Sequence, residues 1–175
     1  MSLLLTLTEA AADAAANPAV PDYATKALVY ASAFASIGFA AVGSAYGAGA
    51  AACSAMGAWK KCYMQNKPAP FQLLIFAGAP LSQTIYGMII MFIIMGSASA
   101  VQPGAWPVYM MTGILSGIAM GVSALWQGLA AAAAADAFSE TGKGFTNQLM
   151  ALGIVETVAI FVMAFAIVLL QSISF

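Results

Sequence analysis

The 175-residue chain is 63% hydrophobic and only 6% charged, with a mean hydropathy of +0.94 and a net charge of -1. So apolar a composition excludes an ordinary soluble domain and puts the chain in a lipid bilayer. All five cationic side chains are Lys, there is no His, and no basic stripe exists, which sets nucleic acid aside.

Residues 1–25 read as an N-terminal extension. Leucines at 3–5 form a short apolar patch, followed by an Ala-rich stretch with Glu9 and Asp13. The basic start and long apolar core of a secretory signal are missing, so a retained, partly helical segment is expected. Pro18 and Pro21 separate it from the first membrane helix.

A spanning helix needs roughly 20 mostly apolar residues. Four stretches qualify, at about 27–58, 71–97, 105–135 and 148–170. They predict an all-α membrane protein of two tandem hairpins, 26–97 and 98–175, with no room for a second, soluble domain. Cys53 falls in the first helix and Cys62 in the loop after it, without metal-ligand spacing. Trp59 and Trp106 stand near helix ends as interfacial anchors. Lys60, Lys61 and Lys67 crowd the first connection, Lys143 sits in the third, and the second has no cation. The positive-inside rule therefore places loops 59–70 and 136–147 in the cytoplasm and both termini outside. Lys26 weighs weakly the other way.

The hairpins look like repeats of one another. Gly49 and Gly128 each precede an Ala run, and the stretch from Pro80 can be laid over that from Gly153, pairing Gln83 with Glu156, Thr84 with Thr157 and Phe92 with Phe165. Parallel repeats about an axis along the membrane normal are a known architecture. In the first helix Gly38, Gly43, Gly47 and Gly49 recur, and in the third Gly113, Gly117, Gly121 and Gly128. Small residues let helix backbones approach closely. The pattern fits either ordinary helix contacts or a tight inner ring of helices one and three, with the bulkier helices two and four outside.

Glu156 is a carboxylate in the middle of an uncharged apolar run. Such a charge costs about 2.5–3.5 kcal/mol at the centre of a spanning helix, so it defaults to function. Oxygen donors lie within reach of the same depth: Ser82, Gln83 and Tyr86 on neighbouring faces of helix two, and Gln127 on helix three. Each alone reads as interhelical glue. Together, one carboxylate, two amide oxygens and a hydroxyl make a hard-oxygen cage suited to an alkali cation, with Na+ the natural candidate. Pro80 removes a backbone hydrogen bond just before Ser82, so a kink is expected that frees carbonyls as further ligands.

These residues resemble the proteolipid ring subunit (K or c subunit) of V-type and A-type rotary ATPases, in its duplicated four-helix bacterial form. The stretch Pro80-Leu81-Ser82-Gln83-Thr84-Ile85-Tyr86-Gly87 is similar to that family's Pro-Gly-Thr-Gln-Gly-Leu-Tyr-Gly, Val155-Glu156-Thr157 to its Val-Glu-Thr, and Gln127-Gly128 to its Gln-Gly. For the sodium-translocating members the resemblance implies an ion held by Glu156, Gln127, Gln83, Ser82 and the backbone carbonyl of Ala79, with Tyr86 locking the site. Ser82 stands where the family has threonine, and Leu81 replaces a glycine. It further implies a ring of identical subunits in the cell membrane, a stator membrane subunit with an arginine, and a central-stalk connector on the cytoplasmic side. The chain itself is expected to hold no catalytic site. Alternatives are an H+-coupled ring, with Glu156 alone carrying the proton, and a stand-alone four-helix transporter or channel.

Overall fold

The computed structural model describes residues 23–102 and 104–173, and these fold as four long helices without a strand among them. Helix α1 spans Tyr23–Met64, α2 Leu73–Ser97, α3 Trp106–Thr141 and α4 Phe145–Ser172, each long and apolar enough to cross a membrane. The extension read at residues 1–22 lies outside the described residues.

Hydropathy located all four helices but shortened three of them. α1 begins at Tyr23 and continues to Met64, so Lys60, Lys61 and Cys62 are helical, not part of a loop, and Cys62 is buried. α3 runs on through Asp136 and Glu140 to Thr141, and α4 starts at Phe145. The physical reason is length. At about 1.5 Å per residue, α1 and α3 reach about 63 and 54 Å, well past a hydrocarbon core of about 30 Å. Their projecting ends are polar yet still paired: Lys61 Nζ lies 2.9 Å from Asp136 Oδ1 and 3.4 Å from Glu140 Oε1. Trp59 Nε1 donates to Pro70 O at 2.8 Å, holding the first connection against α1. Gly142 and Gly144 take positive φ of 65° and 82°, a left-handed conformation that glycine adopts without steric cost, and this lets the chain turn sharply between α3 and α4.

The bundle is built on α1 and α3. A Cβ added at Gly43 would fall on the backbone of Gly121, one at Gly47 on Ala124, one at Gly113 on Ser32, and one at Gly128 on Gly47 itself. These two helices are therefore in backbone-to-backbone contact, the close approach that small residues permit. Gly49 faces open space and Gly38 meets only the edge of Phe34, so neither takes part in the seam that the sequence pattern suggested. α2 packs on α1, where Gly87 abuts Ser36 and Ala40. α4 packs on α3 and leaves Ile154, Phe161, Phe165 and Val168 exposed, as a bilayer allows.

Pro80 tightens α2 without breaking it. The helix runs Leu73–Gly78, narrows to a 3-10 turn at Ala79–Leu81, and resumes at Ser82–Ser97. A 3-10 turn absorbs the missing proline N–H within a continuous rod.

Candidate functional site

Glu156 is on α4 near the middle of the span, half-buried, and Tyr86 of α2 reaches across to it. The Tyr86 hydroxyl donates to Glu156 Oε1 at 2.6 Å. From α3, Gln127 Nε2 donates to Glu156 Oε2 at 3.3 Å and to Leu152 O at 3.1 Å. Both carboxylate oxygens thus have a partner, one from each neighbouring helix.

Behind the carboxylate the two amides meet. Gln83 and Gln127 are fully buried, and Gln83 Nε2 donates to Gln127 Oε1 at 2.8 Å. Gln83 Oε1 accepts from Ser82 Oγ at 3.2 Å, and the same hydroxyl lies 3.1 Å from Ala79 O. Buried amides need such partners, because an unpaired one costs its full desolvation. An unbroken chain of contacts therefore links Ala79 O, Ser82, Gln83, Gln127, Glu156 and Tyr86. All six residues named as candidates in the sequence are brought to one place.

Local structure explains the convergence. The 3-10 turn at Ala79–Leu81 precedes Ser82 directly, and its last carbonyls point along the helix toward the serine hydroxyl. Tyr86 and Gln83 project from successive turns of the same helix. Gln127 comes from α3, which the Gly128–Gly47 contact presses into the bundle. Thr157, aligned with Thr84 in the repeat, does not join: its hydroxyl donates to Ile154 O at 2.6 Å on the exposed side of α4.

Sequence reasoning missed Ser123. Its hydroxyl donates to Val155 O at 3.0 Å, fastening α3 to the residue just before Glu156. In an Ala- and Gly-rich helix it passed as one more small packing residue. Among the described residues no three His, Cys, Asp or Glu side chains cluster, so the polar atoms here are one carboxylate amid neutral oxygens and amides. That set matches a weakly held, hard monovalent cation or a proton.

The family model for the C-type subunit of ATP synthase matches residues 110–169, a stretch that takes in most of α3, the turn after it and most of α4 with Glu156. The chain is also similar to the A-type ATP synthase subunit K of Methanocaldococcus jannaschii, at 31% identity over 135 residues. The chain belongs to the C/K family of ATP synthase proteolipids. That alignment takes in 77% of this proteolipid and 57% of the relative's length. With four apolar helices and this kinship, the proteolipid is a multi-pass membrane protein.

Proposed function

We propose that this proteolipid is the rotor subunit of a V/A-type rotary ATPase, binding Na+ reversibly at Glu156 as the ring turns. The observation that carries the reading is the lattice of oxygens around one carboxylate: Glu156 is joined to Tyr86 at 2.6 Å and to Gln127 at 3.3 Å, with Gln83, Ser82 and Ala79 O behind. A proton needs only the carboxylate. Four further donors at one depth, two of them fully buried amides, favour an ion that must be coordinated on several sides.

Glu156 supplies the charge, and the amide oxygens of Gln83 and Gln127, the Ser82 hydroxyl and Ala79 O supply neutral ligands. Tyr86 holds the carboxylate in the closed position. An arginine on a stator subunit would compete for the carboxylate and release the ion. Such exchange requires Glu156 to swing outward, and its half-burial on the outer helix α4 permits this.

The partners in this reading are identical subunits in a ring, the stator subunit, and a central-stalk connector at the cytoplasmic ends of α1 and α3. An apolar groove of about 910 Å³ between α3 and α4, lined by Met111, Leu115, Val158, Phe161 and Phe165 among others, offers a neighbouring copy a face to pack against. The lysine-bearing connections are assigned to the cytoplasm and the termini to the outside of the cell membrane.

Carbodiimide labelling of Glu156 across pH, with and without millimolar Na+, tests the reading. Protection by Na+ is expected. Labelling that depends on pH alone would assign the ring to protons, and a purified assembly with the mass of a single chain would reject a rotor.

A further inference from the structure

The Ser44 hydroxyl is buried and has no hydrogen-bond partner, in a residue only 2% exposed. Buried hydroxyls are ordinarily satisfied, and an unpaired one forfeits its hydration without return. The fold places this hydroxyl beside the candidate site. On α1, Ser36, Ala40 and Ser44 recur at intervals of four and share a face. The Ser36 hydroxyl lies 3.0 Å from Gly87 O, Ala40 abuts Gly87, and Gly47 abuts Pro80. Between Gly87 and Pro80 the fully buried residue of α2 is Gln83. Because α1 and α2 run antiparallel, Ser44 stands at the level of Ser82 and Gln83.

The repeat supplies an independent argument. Ser44 precedes Gly49 by the same interval that Ser123 precedes Gly128, so the two serines correspond. Ser123 donates to Val155 O at 3.0 Å, and the counterpart of Val155 in the first hairpin is Ser82. α4 is regular α-helix at this point, whereas α2 has just passed through the 3-10 turn at Ala79–Leu81. That turn winds more tightly and rises further per residue, which moves the Ser82 carbonyl out of the register its counterpart keeps.

We propose that Ser44 is a positioning residue of the cation site, its hydroxyl closing onto the Ser82 carbonyl when the cation is bound. The inference rests on the sodium reading above. In this structure Ser82 Oγ is bonded to Ala79 O and Gln83 Oε1, so three oxygens suited to the ion are engaged with one another. A cation that draws them to itself breaks those bonds and loosens the turn. A tie from α1 then fixes the turn, as Ser123 fixes the turn before Glu156. Ligands held in place lose less freedom on binding and hold the ion more tightly.

Membranes bearing the full-length protein, labelled at Glu156 by a carbodiimide over a Na+ titration, provide the test. Ser44→Ala is expected to raise the Na+ needed for half-protection about three- to tenfold, the size of one hydrogen bond. The pH dependence of labelling without Na+ and the thermal stability of the assembly should stay at wild-type values. Ser44→Thr, which keeps the hydroxyl, should return the Na+ requirement toward wild type; if its extra methyl prevents folding, Ser44→Ala decides alone. Unchanged protection in Ser44→Ala, or an equal shift of the Na+-free pH profile, overturns the proposal. A wild-type protein that Na+ does not protect removes the sodium reading, and this proposal with it.

Discussion

Tyr86 donates its hydroxyl to Glu156 Oε1 at 2.6 Å, joining α2 directly to α4. A bond this short is typical of a hydroxyl on an ionised carboxylate. It crosses between the helix that carries most of the neutral donors and the helix that carries the charge. Tyr86→Phe removes the hydroxyl and leaves the ring to pack. Hydrogen bonds to charged groups contribute about 1.5–3 kcal/mol, so Na+ affinity should fall about tenfold or more. Helix content should remain as in wild type. A Na+ titration of Glu156 labelling, with circular dichroism alongside, checks both; unchanged affinity would mean that the tyrosine does not hold the site closed.

Glu156→Gln keeps the side chain's shape and removes its charge. Gln127 and Tyr86 still find an oxygen to donate to, so packing survives. Transport by reconstituted vesicles should stop and carbodiimide labelling at this position should disappear, while the mass of the purified assembly stays the same. Transport that persists would place the essential charge elsewhere.

Gln83→Ala and Gln127→Ala separate ion from proton. Both amides are fully buried, and only Gln127 touches the carboxylate. Losing one neutral ligand should weaken Na+ binding about tenfold, on the scale of one good hydrogen bond or slightly more. Proton binding should change less, because the proton sits on Glu156 itself. Equal effects on Na+ protection and on the pH profile would argue against direct coordination by the amides.

The site was legible because polar side chains in an apolar run are costly and few, so Glu156, Gln127 and Gln83 stood out without structural help. The helices were legible by the same contrast, but their ends were not. Hydropathy falls at Lys60 and Asp136, whereas the helices continue as polar rods whose tips pair through Lys61. Pro80 announced an irregularity without revealing its form, since only geometry distinguishes a tightened 3-10 turn from a break. Ser44 and Ser123 were missed for the opposite reason. Serine among alanines carries little contrast, and only the repeat alignment could have paired them.

The aligned glycines Gly49 and Gly128 offer a last contrast, because equivalent sequence positions have opposite surroundings. A Cβ at Gly128 would fall on the backbone of Gly47, which cannot move aside as a flexible side chain can, whereas one at Gly49 meets nothing within 4 Å. Gly128→Ala must push α3 away from α1, and overpacking of this kind costs about 1–3 kcal/mol or more. The shift would also move Gln127, the next residue, away from Glu156, so Na+ protection should weaken together with thermal stability. Gly49→Ala should leave α1 against α3 undisturbed and gain up to about 1 kcal/mol in helix propensity. Thermal unfolding of the two variants in detergent checks the difference. Equal destabilisation by both would mean that Gly49 is also covered in the assembled protein, and mass measurement would then show whether the substitution dissolves contacts between copies or the bundle itself.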